Sequence, residues 1–266
     1  MSCSRSSLLA GLFGLLALSG CSGGGSESAS AGEAQNPKII NGSVVAEGSA
    51  PQIVALKIVQ DEPSLGGIVE GLCTGTVITR RHVVTAAHCV ESAGLLSIEI
   101  VSGATTRFAT GYAIHPNYQT TTDGAVIYDV AVLETSEDIG LPTLPILLSR
   151  PLVADDQIGI WGYGLDEDGG LGVLKTGAMI VDMVAATRFF AIFDGNTGNT
   201  CFGDSGGPAT LSTVDANGQP LVGLVGLTSG GTSPDCSEGD RSSFTALQFQ
   251  FVLDFVLAIA PETQVI

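Results

Sequence analysis

The run Gly-Asp-Ser-Gly-Gly-Pro at positions 203–208 concentrates what nucleophilic attack on a carbonyl requires. A serine hydroxyl attacks only when a base accepts its proton and when hydrogen-bond donors stabilise the negative oxygen that forms. Glycines let the backbone turn its N–H groups toward that oxygen at little steric cost. Ser205 is therefore the candidate nucleophile, and the N–H groups of Gly203 and Ser205 are the candidate oxyanion hole.

The candidate base is a histidine, and the chain has three of them. His88 belongs to the run Thr-Ala-Ala-His-Cys, directly after an apolar segment, which places it at the end of a buried strand. His82 follows two arginines and is expected on a solvated face. His115 opens the turn-forming run His-Pro-Asn-Tyr and is expected in a surface loop. His88 is therefore the predicted base.

A carboxylate has to hold this histidine in the tautomer whose Nε2 faces the serine. Asp129 directly precedes the apolar run 130–133, which is typical of a buried strand, whereas Asp123 lies in a loop of Thr and Gly. We therefore predict that Asp129 accepts the Nδ1–H hydrogen bond of His88.

Short β-strands must position these side chains, because the apolar runs are rich in Val, Ile and Thr and are separated by turn residues. The predicted strands are 53–59, 74–78, 96–101, 130–133, 158–161 and 221–228. Three prolines bracket a linker-like stretch at 141–150, and only residues near 249–260 have helical spacing. The sequence predicts an all-β protein of two β units followed by a C-terminal helix.

The acidic composition limits the kinds of partner. The chain of 266 residues has a net charge of −17 at pH 7, opposite in sign to what phosphate binding needs. We therefore expect no nucleic-acid partner and a repulsive, soluble surface.

The N-terminus has the pattern of an export signal. Arg5 precedes an apolar run at 8–18 that is too short to span a bilayer comfortably. The sequence Leu-Ser-Gly-Cys at 18–21 resembles the bacterial lipobox, in which the signal is cleaved before a cysteine that is then lipidated. The alternative is an ordinary signal peptide with an incidental Cys21. We predict a signal at 1–20 and a flexible, Gly- and Ser-rich tether or propeptide at 21–38.

Six cysteines divide between these regions. Cys3 lies in the signal and Cys21 is the lipidation candidate, so four remain for the folded part: Cys73, Cys89, Cys201 and Cys236. Outside the cytosol an even number suggests two disulfides, with three possible connectivities. No Cys-x-x-Cys pair or histidine cluster indicates a zinc site, so no metal is expected.

The motifs at 85–89 and 203–208 resemble the histidine and serine motifs of the chymotrypsin/trypsin family. The run Lys-Ile-Ile-Asn-Gly at 38–42 resembles the family's activation site, and Tyr-Asp-Val-Ala-Val-Leu at 128–133 its aspartate motif. Trp-Gly at 161–162 and the His-Pro-x-Tyr turn also fit, in family order. The resemblance implies two six-stranded antiparallel β-barrels (about 39–145 and 146–248) and a C-terminal helix near 249–260, with the site between the barrels.

The resemblance also implies a function. It implies a serine endopeptidase that works through His88, Asp129 and Ser205 and an acyl-enzyme, without a cofactor. Cleavage at Lys38–Ile39 by an activating protease would create an ammonium on Ile39 that inserts beside Asp204. We further expect that the protein acts on proteins or peptides, that it is a monomer, and that it is either secreted or held in the cell envelope by a lipid anchor. The rival interpretation is a catalytically inactive binding module.

The family's disulfides imply the pairs Cys73–Cys89 and Cys201–Cys236. Its substrate-binding segment corresponds to Ser229-Gly230-Gly231, and its primary pocket to Asn199 and Ser242.

Two departures concern specificity. Asn199 stands where trypsins have aspartate, so no dominant preference for Arg or Lys is expected unless a nearby carboxylate leans into the pocket; the candidates are Asp235, Glu238 and Asp240. Gly230 stands where the family usually has Trp, which removes an apolar wall.

Overall fold

The structure is a computed structural model, and it describes residues 39–122, 124–165 and 172–266. The predicted signal, the lipidation candidate Cys21, Lys38 and Asp123 lie outside the described residues.

Strands dominate the described part of the chain, which contains sixteen of them, two short 3-10 helices and one α-helix. The strands are β1 Ser43–Val44, β2 Ile53–Glu62, β3 Gly67–Val77, β4 His82–Thr85, β5 Leu95–Ser102, β6 Thr105–Phe108, β7 Gly111–Ile114, β8 Gln119–Thr120, β9 Val126–Ile127, β10 Ala131–Glu134, β11 Gln157–Gly162, β12 Lys175–Val184, β13 Arg188–Ile192, β14 Pro208–Val214, β15 Pro220–Gly230 and β16 Arg241–Ala246. The helices are the 3-10 turns Pro63–Leu65 and Ala87–Cys89 and the helix α1 Gln250–Ile259.

The C-terminal sheet closes on itself. Its antiparallel ladder runs β12-β11-β14-β15-β16-β13 and returns to β12, which makes a closed barrel of six strands, with β1 added outside β12. Inward-facing apolar residues fill it, and the rings of Phe189 and Phe244 stack with centroids 4.9 Å apart. The segment 39–44, expected with the first barrel, instead lies against this second one.

The N-terminal sheet is curved and has seven strands in the order β6-β5-β2-β3-β4-β10-β7. Its two edge strands are consecutive in sequence and are separated by two residues only. Ala109 N–H donates to Ile98 on one side (3.0 Å), and Thr110 N–H donates to Glu134 on the other (2.7 Å). The expected pair of barrels is thus one closed six-stranded barrel and one barrel-like sheet, and the all-β fold class with a C-terminal helix is confirmed.

The helix α1 packs across the junction between the two sheets. Its apolar side chains Val252 and Val256 share a buried cluster with Val132 of β10 and Leu224 of β15. The helical spacing of these residues produced the sequence prediction, and the observed bounds agree with it within one residue. No helix in the described ranges is long and apolar enough to cross a membrane.

Both implied disulfides are present, Cys73–Cys89 and Cys201–Cys236. The six predicted strands all coincide with observed ones, but four strands of the second barrel were not predicted. β12, β14 and β16 contain glycine, proline or several polar residues, which weaken the alternating apolar pattern. β13 is a short run of five residues that begins with Arg188 and is otherwise apolar, so it shows no alternation either.

Candidate active site

His88 and Asp129 lie together in the described structure. His88 is in the 3-10 turn after β4, and Asp129 lies two residues before the start of β10, which pairs with β4. The backbone N–H of His88 donates to Asp129 Oδ1 (3.0 Å), and His88 Nδ1 lies 2.8 Å from Asp129 Oδ2. Because the two strands are neighbours in one sheet, their register fixes this contact.

The charges of the pair shift both pKa values. Burial lowers the pKa of His88, but the hydrogen bond to Asp129 and its negative charge outweigh burial, so the pKa lies above its ordinary value. Burial raises the pKa of Asp129, yet the hydrogen bonds from His88 and Ser229 and the charge of His88 bring it below its ordinary value. The geometry therefore keeps Asp129 ionised and makes His88 a stronger base.

The second barrel also holds Asp129, through two residues whose role the sequence did not predict. Ser229 Oγ donates to Asp129 Oδ2 (2.6 Å), and Thr245 Oγ1 donates to the carbonyl of Asp129 (2.9 Å). Ser229 was predicted to bind substrate, and no local signal in the sequence connects either residue with a position more than 90 residues away. The aspartate is thus fixed from both sheets at once.

Ser205 lines the same cleft as His88, a cavity of about 520 Å³ between the sheets. Its loop is fastened to the first sheet, because Thr74 N–H donates to Ser205 O (2.8 Å) and Thr74 Oγ1 donates to Gly203 O (2.9 Å). Gly206 has a φ of +77°, and a Cβ there would overlap Thr85. Glycine is therefore required at this position for two separate reasons.

The predicted oxyanion donors are available. Gly203 has a φ of +94°. Within the described part of the chain, the N–H groups of Gly203 and Ser205 have no hydrogen-bond acceptor. Two donors in one loop beside the nucleophile suit an oxygen that acquires negative charge.

The primary pocket has a polar base. Asn199 is fully buried, and its Nδ2 donates to Cys236 O (3.1 Å) and to Asp240 Oδ2 (2.9 Å). Ser242 Oγ donates to Asn199 Oδ1 (2.8 Å) and is itself 2.8 Å from Thr200 Oγ1. Both predicted pocket residues are therefore at this base, in one hydrogen-bonded cluster.

Of the three carboxylates considered near this pocket, Asp240 reaches it. Asp240 is 1% exposed and lines the cleft. Asp235, by contrast, is exposed and accepts hydrogen bonds from the hydroxyls of Ser233 and Ser237. The specificity prediction made an exception for a carboxylate that leans into the pocket. Asp240, which accepts a hydrogen bond from Asn199, is such a carboxylate.

The predicted substrate-binding segment is open at Gly230, where a side chain is missing. A Cβ built on Gly230 has no atom within 4 Å, which agrees with the predicted loss of a wall. A Cβ on Gly231, by contrast, would lie 2.7 Å from Asp240 Oδ2, so the carboxylate packs directly under that glycine.

Asp204 is completely buried next to Ser205. Gly164 N–H donates to its Oδ1 (2.8 Å) and Cys201 N–H to its Oδ2 (2.9 Å), and Cβ atoms on Gly162 and Gly164 would collide with it. Burial raises the pKa of Asp204 from 3.8 to about 6 despite these hydrogen bonds.

Lys175 is a neighbour of Asp204 that the sequence did not single out. It is fully buried at the start of β12, its Nζ donates to Gly164 O (3.0 Å), and its charge lowers the pKa of Asp204. Lysine is rarely fully buried unless it has a partner. The available signal was that Lys175 alternates in phase with Met179 and Val181, the other buried residues of β12.

The described part of the predicted activation segment starts at Ile39, in the second barrel. Ile39 is fully buried, with its side chain against Gly177, and Asn199 N–H donates to Ile40 O (3.0 Å). Ile39 is thus the neighbour in sequence of a residue that is hydrogen-bonded to Asn199, at the base of the predicted primary pocket.

The prediction for His115 was wrong. The ring is 4% exposed rather than on the surface; it stacks on Tyr128 with centroids 4.7 Å apart, and its Nε2 lies 3.2 Å from Phe251 O. Residues of α1 cover the turn, which a local turn signal cannot reveal. His82 begins β4, partly exposed, with Nδ1 2.7 Å from Thr79 Oγ1.

Asp129→Asn should lower the pKa of His88 below the wild-type value, because burial then acts with much less opposing charge. Titration of the histidine ring protons by NMR measures the change. The control Asp235→Asn removes an exposed carboxylate and should leave the titration of His88 unaltered. An unchanged pKa of His88 in Asp129→Asn would contradict the electrostatic role given to this contact.

Comparison with known proteins agrees with this geometry. The trypsin family profile matches residues 39–253. The chain is 28% identical to brachyurin of Leptuca pugilator over 205 residues, which are 66% of this chain and 83% of that protein. It is 29% identical to the atrial natriuretic peptide-converting enzyme of Mus musculus over 74% of its own length but only 19% of that protein's.

A solved structure described as HL collagenase has the same fold, with a TM-score of 0.65 and 18% identity over 84% of this chain and 98% of that one. The profile match covers well over half of the sequence. The chain belongs to the trypsin family of serine proteases.

Proposed function

We propose that this protein is a serine endopeptidase in which Ser205 is the nucleophile, His88 the general base and Asp129 the group that orients the base. One observation carries the proposal: His88 is bonded to a buried carboxylate through Nδ1 while it shares a cleft with Ser205. This arrangement is what acyl transfer by serine needs.

The reaction follows from the positions of the protons. With Nδ1–H held by Asp129, His88 accepts the Ser205 proton at Nε2 as Oγ attacks the substrate carbonyl, and the imidazolium then gives this proton to the leaving amine. Water repeats the sequence on the acyl-enzyme and releases the second product. His88 must be neutral to act as a base, so activity is expected to rise with pH through its raised pKa.

The oxygen of the tetrahedral intermediate becomes negative at each step. The N–H groups of Gly203 and Ser205 would donate to it, which agrees with their lack of other acceptors in the described structure. The substrate backbone would pair as an extra antiparallel strand beside Ser229-Gly230-Gly231.

The alternative, a binding module without catalysis, is less well supported. Such a protein has no need for a base with a raised pKa or for two open donors beside a serine. All three side chains of the proposed triad are present in the sequence.

Ser205→Ala should reduce hydrolysis of casein by about 10⁴-fold or more, because no other group supplies the nucleophile. The matched control is Ser237→Ala, which changes an exposed serine of the loop near the pocket and should retain full activity. Activity of Ser205→Ala within tenfold of the wild type contradicts the proposal. An inactive wild type that still binds casein favours the binding module.

We further propose that the enzyme is made as a zymogen, and the support is the cost of burying Asp204. Ionising a carboxyl whose pKa has risen from 3.8 to about 6 costs the folded state about 3 kcal/mol at neutral pH. The penalty grows as the pH rises from the unfolded pKa to the folded one. A new cation beside Asp204 would lower its pKa and remove the penalty.

Cleavage after Lys38 would supply that cation as the α-ammonium of Ile39, whose side chain already lies in the second barrel. The ion pair would hold the loop that carries Gly203 and Ser205. Because a negative partner raises the pKa of the amine above about 8, the ordered state is favoured below that raised value and lost as the pH rises through it.

Lys38→Gln should leave the precursor uncleaved by trypsin at this bond and therefore poorly active, because the ammonium of Ile39 never forms. Comparison of peptide hydrolysis before and after trypsin treatment, for wild type and variant, measures this. The control Lys57→Gln removes an exposed lysine elsewhere and should activate normally. If uncut Lys38→Gln equals protein that begins at Ile39, activation by cleavage is excluded while the triad is unaffected.

Export and anchoring are proposed on the sequence of residues 1–38 alone. We propose that the protein is exported, is anchored to a membrane of the cell envelope by lipid on Cys21 or is released from it, and acts as a monomer on protein substrates. Cys21→Ser should abolish lipid attachment, and mass spectrometry of the mature N-terminus measures it. An unmodified wild-type terminus downstream of Cys21 would support an ordinary signal peptide.

A further inference from the structure

A second groove lies on the other side of the substrate-binding segment. It has a volume of about 370 Å³ and shares Ser229, Gly230 and Gly231 with the primary cleft. Its remaining wall includes Phe190, Arg188 and Arg241. The missing side chain of Gly230 leaves the groove open toward the path of a bound peptide.

Two guanidinium groups converge in this groove. The Arg188 and Arg241 guanidinium carbons lie 5.2 and 4.4 Å from the centroid of the Phe190 ring, which fixes both by cation–π contact. The whole chain contains only ten Lys and Arg against 27 Asp and Glu, so two arginines on one ring are an unusual concentration of positive charge.

The described residues neutralise this charge only in part. Arg241 pairs with Asp182 at 2.8 Å, and its buried Nε has no hydrogen-bond partner in the described part of the chain. Arg188 donates a hydrogen bond to the carbonyl oxygen of Val126 (3.4 Å), and this oxygen carries no formal charge. Among the described residues, one carboxylate therefore faces two guanidinium groups, and the N–H groups of Arg188 that do not contact Val126 remain for a ligand.

The alternation of an extended chain decides which substrate side chains enter the groove. Successive side chains of a strand point to opposite faces. If the residue at the scissile bond enters the primary cleft, the second and fourth residues before that bond face the opposite side of the same strand. That side is the groove with Phe190, Arg188 and Arg241.

We propose that this groove is a basic subsite that binds an acidic side chain, Asp or Glu, at the second or fourth residue before the scissile bond. The inference rests on the proposed endopeptidase function and adds a substrate class to it. Carboxylate and guanidinium match in geometry as well as in charge. The protein would therefore prefer acidic stretches that precede the cleaved residue.

The test uses quenched fluorogenic peptides that differ at one position. Glu, Gln or Lys is placed at the second or the fourth residue before the scissile bond, in one series with Lys and one with Leu at the cleaved residue. Wild type is expected to cleave at least one Glu peptide about fivefold better than its Gln counterpart, and the Lys counterpart worse. High salt should reduce the difference.

Variants assign the effect to the groove. The double change Arg188→Gln with Arg241→Gln should abolish the preference for Glu while cleavage of the Gln peptides is retained. Arg188→Lys with Arg241→Lys keeps the charge and should keep part of the preference, which separates loss of charge from misfolding. Arg80→Gln, an exposed arginine paired with Asp138 in the other sheet, should have no effect.

The outcomes separate the two proposals. Cleavage of the Gln peptides tests the endopeptidase, and the Glu to Gln ratio tests the subsite. If no peptide is cleaved, fluorescence anisotropy of the labelled peptides with Ser205→Ala compares their binding without catalysis. Equal cleavage or binding of Glu and Gln peptides by the wild-type groove, or a preference that survives the double Gln variant, overturns the basic subsite.

Discussion

The buried carboxylate of Asp129 is the constraint on which the rest of the site depends. A charge without exposure to water is costly unless hydrogen bonds and an opposite charge compensate it. Here the compensation comes from both sheets, from His88 on one side and Ser229 on the other. The contacts to this carboxylate therefore tie the two sheets together beside the cleft that His88 and Ser205 line.

Residues next to one another in sequence were predictable, whereas partners from distant segments were not. The alternating runs gave the strands around His88 and Asp129, and the family resemblance gave both disulfides. Ser229 as a donor to Asp129 and Lys175 as a neighbour of Asp204 depend on strand register between segments far apart. Register follows from packing of the whole sheet, which a local pattern does not contain.

The groove and the primary pocket differ in charge although they share a wall. Asp240 lies behind Gly231 on one side of the proposed substrate-binding strand, and Arg188 and Arg241 line the groove on the other. The sequence showed the open position at Gly230 but not the opposition of charges across it. The opposite charges can lie so close together because neighbouring residues of a strand face opposite sides, so one short segment contacts two different environments.

Tyr128, directly before Asp129, has a φ of +53°, a backbone conformation that a bulky residue adopts only when its surroundings impose it. Its ring is held by His115 and lies 6.4 Å from Phe249, at the start of the last helix. These contacts join the middle of the chain to α1 and the residue before it. A fragment that lacks this segment would lose contacts of both His115 and Tyr128, so the backbone beside Asp129 depends on residues far from it in the sequence.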